Sequence, residues 1–496
     1  MQMSLLKAFH SNVCRLARVT GIILVACAVC HSAGEMPDSK SAPWRSWRGP
    51  YGNGTGVETG LALVDDITKA RLVWVSEDPI PGTYASTGGC SYWIGGFSVP
   101  LVAEGRVTIA YSCPPGRTNY MFTAEDWKHR TRANRPPRVP DLTADDVVHC
   151  FDTKTGKTLW RTVFGGKGLL DQGEGNQNLT GCYADGRLYM PGSAGALYCV
   201  DAETGRLIWE AKQEHIKAMP YGSAHIADGI VAFGHKVLHG FDAATGEVLW
   251  EGPGGLKNGS APAVWRHEGK AYFVLGTSLG GLHLIEPRNG RALWKYKEEG
   301  METLQSSVPV AVSGSKVVVQ GWCGPGGKKA KLRMGLTCYR ISPEGCERVW
   351  SCPTPNFWLV PPTIYRGRVY VAARDPEENK KCVVSHDLET GELLARTMGS
   401  FLGISPVAVD GRILANVPAG GRIINMLVTD TMRGSVGRPT PDGVDPRGFR
   451  IGTCTSFGYA GGFLYARTEE GPSKAKKMSG ENTYQSHMIC VDLRKE

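Results

Sequence analysis

Beyond residue 33 this 496-residue sequence has no Cys-x-x-Cys pair, and nowhere are two cysteines adjacent. The first absence removes the usual spacing of a structural zinc site. There is no phosphate-binding Gly-x-x-x-x-Gly-Lys-Ser/Thr loop, no His-Glu-x-x-His and no dinucleotide fingerprint, so these catalytic motifs point nowhere. No continuous basic stripe accompanies the net charge of +9, which argues against nucleic acid as a partner. The apolar run 21–29 is too short to span a bilayer, and no later stretch is a membrane-crossing candidate. Histidines are few, and the densest are His215, His225, His235 and His239. On one strand His235 and His239 would sit about 13 Å apart at a rise of ~3.3 Å per residue, too far to share a metal.

What is present begins with an address. Residues 1–33 read as a signal peptide, with Lys7, Arg15 and Arg18 before the apolar run and small residues at Ser32-Ala33. Leu24-Val25-Ala26-Cys27 also has the form of a bacterial lipobox. Two expectations follow: cleavage near Ala33, or a lipid on Cys27 as the only membrane contact. Either implies an exported protein of the periplasm or cell envelope. Residues 34–69 read as a linker and N-terminal extension, and 70–496 as a single repeat domain. Twelve cysteines lie beyond the leader. Cys150, Cys199 and Cys490 each stand two residues before an Asp, and Cys338 holds a comparable place. That suits small buried side chains as well as disulfides, whose connectivity a sequence does not give.

The repeat is a short phrase, clearest as Asp201-Ala202-Glu203-Thr204-Gly205-Arg206-Leu207-Ile208-Trp209. It recurs through Asp152, Gly156 and Trp160, and through Asp242, Gly246 and Trp250. Worn copies hold Gly290 with Trp294, Gly391 without a Trp, and Trp350 after one extra residue. Each phrase predicts two strands joined by a three-residue loop with Gly in the left-handed position. A second Gly turn precedes each, as at Asp185-Gly186 and Arg366-Gly367. Four strands per ~40–50 residues predict a β-propeller blade, with the Trp as a wedge between blades. The last unit lacks a fourth strand, and the orphan strand ending near Trp74 supplies one. The expectation is therefore all-β: an eight-bladed propeller of four-stranded antiparallel blades, closed by its N-terminal strand and monomeric. The least distinct unit is 405–436.

In such blades the first and third turns share one rim, and here they are short. The insertions 112–146, 322–335, 374–381, 437–452 and 467–485 gather on the other rim, which is the expected working face. Its candidate binding residues are Trp127, Lys128, Arg130, Arg132 and Arg135 in the most basic insertion, with Trp322, Lys328, Lys329 and Trp358. An acidic protein or a polysaccharide would suit them. Asp145, Asp146 and nearby acids read as their solvated counterparts. Tyr120 and Phe122 join the aromatics as candidates for glycan binding.

At the Asp-x-x-Thr-Gly-x-x-x-Trp phrases, residues 70–492 resemble the pyrroloquinoline-quinone (PQQ)-like β-propeller repeat family. Trp47-Arg48-Gly49-Pro50 resembles the segment that exported bacterial members carry ahead of the first blade. The resemblance implies one of two activities. Quinoprotein dehydrogenases hold PQQ and calcium at the ring centre, with the quinone stacked between a Trp and a disulfide of adjacent cysteines. Scaffolds of the BamB type bind envelope proteins without a cofactor. No adjacent cysteines occur here, and no catalytic or calcium-binding residue carries over. The reading is therefore a non-catalytic scaffold with no cofactor and an envelope protein or polysaccharide as partner. A PQQ-dependent oxidoreductase with calcium, or a glycan-binding module, is the alternative.

Overall fold

A computed structural model describes residues 43–81, 84–87, 90–93, 98–113, 115–116, 143–169, 180–212, 222–256, 261–277, 281–297, 310–323, 333–353, 361–374, 381–398, 406–417, 422–428, 432, 434–437, 457–468 and 485–495. Seven blades are each made of four consecutive antiparallel strands. They cover residues 101–169, 182–212, 225–254, 263–297, 310–353, 363–398 and 407–437, called blades 1 to 7 in that order. One further four-stranded sheet is composite. Strand Arg71–Val75 pairs with Met488–Asp492, beside Phe463–Arg467 and Gly458–Ala460. The count of eight expected from the sequence thus divides into seven consecutive blades and one sheet joining the first strand to the last. The unit at 405–436 does form its four strands, as blade 7.

The turns explain the short rim. Asp185 and Gly186 both have positive φ, 49° and 72°, which is the two-residue type I′ turn that matches strand twist. In the phrase, Asp201 N–H donates to the Arg206 carbonyl and Gly205 N–H to the Asp201 carbonyl. The loop therefore has four residues, not three, with Gly205 last at φ 71°. The Asp201 carboxylate accepts from Thr204 N–H at 2.8 Å and Thr204 Oγ1 at 2.7 Å, which holds its pKa below the ordinary value. Ala202 N–H then donates to the Gly186 carbonyl, tying the blade's first and third turns together on one rim.

Each Trp is a wedge with a fixed seat. Trp209 lies opposite Cys199 on the neighbouring strand and donates from Nε1 to Ala243 O, in the next blade's phrase, at 3.1 Å. Its ring covers Gly246, where a Cβ would fall 2.5 Å from the indole. Trp74, Trp160, Trp250 and Trp350 repeat this against Gly156, Gly205, Gly290 and Gly391. Their indoles donate to Thr153, Ala202, Pro287 and Leu388 carbonyls. Trp294 donates to Ser342 O at 2.8 Å. The cysteines opposite the wedges (Cys150, Cys199, Cys338 and Cys490) are free and buried, so at these places the small-side-chain reading holds. Burial pushes each of their thiols up to about 12.

Two seams have no wedge: blade 6 carries Ala395 opposite Ser385, and blade 7 carries Ser435 opposite Met426. The N-terminal extension straps these seams instead. Glu58 pairs with Arg366 of blade 6 and accepts from Asp410 N–H of blade 7. Asp410 in turn accepts from Thr59 N–H at 2.7 Å, Gly60 N–H at 3.0 Å and Tyr459 OH of the closing sheet at 2.8 Å. Arg412 reaches Leu63 O and Asp65.

Candidate functional site

The segment expected ahead of the ring lies within it. Residues 44–56 run among the innermost strands, which are the first strand of each blade. Trp44 exchanges two backbone hydrogen bonds with Val102 of blade 1, and Arg45 O accepts from Tyr183 N–H of blade 2. Asn53 O accepts from Ile364 N–H of blade 6. Gly54 and Gly56 bracket Ala408 of blade 7 with two more. Thr55 Oγ1 donates to Ile364 O at 2.8 Å. The chain can fold this tightly because Gly49 and Gly54 have positive φ, 75° and 86°. A Cβ on Gly54 would lie 2.4 Å from Thr363 Oγ1. Trp44 is fully buried, and Trp47 and Arg48 nearly so.

Arg48 is the unusual group. Its Nη2 donates to the Pro362 carbonyl, while Nε and Nη1 are buried without a partner. Burial alone lowers its pKa to about 9. His225, at the start of blade 3, is also buried with Nε2 unpartnered. Burial first, then the charge of Arg48, lowers its pKa to about 4. The sequence shows Arg48 only within the opening Trp-Arg-Gly-Pro, and the signal was two Arg interleaved with two Trp ahead of a Gly-rich stretch.

On the opposite rim from the short turns, the stem of the largest insertion is well defined. Ser112 pairs with Asp146 and Cys113 with Asp145. These two acids, read as solvated, are 5% and 3% exposed, so that reading is corrected. Asp145 accepts from Gly116 N–H at 2.9 Å and Gly166 N–H at 2.7 Å. Asp146 accepts from Ser112 Oγ, Ser193 N–H, Ser193 Oγ at 2.5 Å and Tyr198 OH at 3.2 Å. Burial raises the Asp146 pKa, and those donors oppose the rise. These partners explain the burial: Asp145 satisfies backbone N–H groups within blade 1, and Asp146 fastens the stem of blade 1 onto Ser193 and Tyr198 of blade 2.

The candidate rim residues Trp127, Lys128, Arg130, Arg132, Arg135, Lys328, Lys329 and Trp358, with Tyr120 and Phe122, lie outside the described residues. So do residues 1–42 with Cys27. Trp322 belongs to strand Lys316–Cys323. Gly276-Thr277-Ser278-Leu279-Gly280 has the spelling of a nucleophile elbow; it falls between two strands that pair with each other, 270–276 and 281–285, and Ser278 lies outside the described residues. Among the described residues no three His, Cys, Asp or Glu side chains are placed to hold a metal. No helix there is long and apolar enough to cross a membrane.

A family profile described as outer membrane protein assembly factor BamB matches residues 144–323, which are blades 1 to 5 in large part. A polyvinylalcohol dehydrogenase of Sphingopyxis sp. is 26% identical over 220 residues, 39% of this chain and 32% of that protein. Quinoprotein alcohol dehydrogenase PedE of Pseudomonas putida is 30% identical over 124 residues, 24% of this chain and 17% of that protein. The chain thus spans a third or less of the length of these two relatives. The solved quinohemoprotein alcohol dehydrogenase of Comamonas testosteroni superposes with a TM-score of 0.54 at 13% identity, over 92% of this chain and 81% of that one. That likeness is one of fold. The profile and these relatives agree with the resemblance of the phrases to the PQQ-like propeller repeat.

Proposed function

We propose that the chain is a non-catalytic scaffold, exported to the periplasm or cell envelope, that binds partner proteins through its insertion-rich rim. The observation that carries this reading is the filled axis. Residues 44–56 occupy the place where the innermost strands converge, hydrogen-bonded to blades 1, 2, 6 and 7. A quinone with its cation would need that place and a set of acidic ligands, and among the described residues no three His, Cys, Asp or Glu side chains are placed to hold a metal. What remains for recognition is the rim, where Asp145 and Asp146 hold the stem of the largest insertion rigid. The match to the BamB profile over residues 144–323 supports a protein as the partner. The basic insertion around Lys128, Arg130, Arg132 and Arg135 favours an acidic surface on it.

The second reading is a PQQ-dependent oxidoreductase, favoured by the similarity to a polyvinylalcohol dehydrogenase and a quinoprotein alcohol dehydrogenase. One titration separates them. The purified full chain is titrated with PQQ and calcium in a calorimeter and assayed with an artificial electron-acceptor dye and alcohols. The scaffold reading expects no saturable heat and no dye reduction. One-to-one binding with dye turnover would overturn it. In the same preparation, crosslinking in the envelope should capture partners that a chain lacking residues 117–142 does not.

A further inference from the structure

Four buried polar groups on or beside the ring axis lack partners: Arg48 Nε and Nη1, His225 Nε2, Trp44 Nε1 and Ser223 Oγ. Trp44 and Arg48 belong to the axial segment, and Ser223 and His225 to the start of blade 3. The two stretches share a neighbour. Arg45 O accepts from Tyr183 N–H of blade 2, while Ala224 N–H donates to Thr180 O just before that blade. All these free valences are donors or have donor capacity, and among the described residues no carboxylate is hydrogen-bonded to them. A guanidinium does not shed its proton at neutral pH, even with a pKa near 9. Leaving it buried with one carbonyl acceptor is costly, and proteins rarely tolerate it without a counter-charge.

We infer that the axis holds a small oxyanion, a carboxylate or sulfate-like group, bound principally by Arg48 with His225 as a second donor. Its negative charge supplies the acceptors that the chain does not. The same anion makes residues 44–56 a stable filling, since it neutralises the buried charge of Arg48. His225 then donates from Nε2, as the neutral tautomer or as imidazolium beside the anion.

The test uses the purified full chain, dialysed into chloride buffer at constant ionic strength. Sulfate and acetate are titrated separately by calorimetry and by thermal unfolding. The expected result is saturable one-site binding of one of them, with a melting temperature that rises and levels off. The anion that saturates identifies the source. Arg48→Gln should weaken that binding about tenfold or more, in line with loss of charged hydrogen bonds. Should Arg48→Gln fail to fold, His225→Ala replaces it, with a smaller loss expected. A crystal grown with selenate in place of sulfate gives a direct reading, as an anomalous peak within hydrogen-bond distance of Arg48. Stabilisation that is linear and equal in wild type and variants is the general salt effect and would overturn the inference. So would ordered water alone between Arg48 and His225.

Discussion

Removing one wedge and its seat together gives the sharpest test of the blade seams. Trp250 is 8% exposed, donates to Pro287 O at 2.7 Å and covers Gly290. Trp250→Ala should cost ~3–5 kcal/mol, the usual range for a buried large aromatic. Gly290→Ala is costly for two separable reasons. Its φ of 68° strains any L side chain by about 1–2 kcal/mol. The new Cβ would also lie 2.5 Å from the indole, and relieving such overpacking costs roughly 1–3 kcal/mol more. In the double variant the indole is gone and only the φ strain remains. The double variant should therefore be more stable than the sum of the singles by about 1–3 kcal/mol. Urea unfolding of the four proteins, followed by intrinsic fluorescence and circular dichroism, measures the cycle. Strict additivity would refute the seat, and an unchanged midpoint in Trp250→Ala would refute the wedge itself.

Three further outcomes are expected. Burial lowers the His149 pKa to about 4, against a weaker opposing charge at Asp78, so the folded state takes up its proton later than the unfolded one. Stability should rise with pH between about 4 and 6.5, and His149→Gln should flatten that slope in a pH series of thermal melts; an unaltered slope counts against it. Asp410→Ala removes acceptors for Thr59, Gly60 and Tyr459 and should cost ~2–4 kcal/mol, exposing residues 44–62 to limited proteolysis; protection equal to wild type would show that the strap is held elsewhere. The thiols of Cys150, Cys199, Cys338 and Cys490, pushed up to about 12, should resist alkylation in the native protein and react on unfolding, as read by mass spectrometry; rapid native labelling would contradict their burial.

Blades and seams were legible because their signals are local. An Asp, a Thr-Gly and a Trp within nine residues fix the turn, the strand pair and the wedge, and the structure places all of them where the phrase implies. The four-residue loop was missed because Gly at its end satisfies a three-residue loop equally well. What could not be read was anything that depends on distant pairing. The axial position of Arg48 rests on Pro362, and the strap at Thr59 rests on Asp410, 351 residues away. Asp145 and Asp146 misled for a related reason: a charged pair beside a long polar insertion spells an exposed rim, but Asp145 caps Gly116 and Gly166 N–H groups and Asp146 meets Ser193 and Tyr198 of the next blade.

The composite sheet has a consequence for how the protein comes into being. Arg71 meets Asp492 across 421 residues, and Thr55 meets Ile364 across 309. Strand 71–75 is therefore among the last to find its strand partner. All seven consecutive blades can form from neighbours in sequence as the chain emerges, but strand 71–75 must wait for Met488–Asp492, and the axial segment is completed only by blades 6 and 7. During that interval strand 71–75 is unpaired, with Trp74 resting only on its seat in blade 1. A chain cut short near its C-terminus would stay in that state, a nearly finished ring with an open edge at one end and an unseated strand at the other.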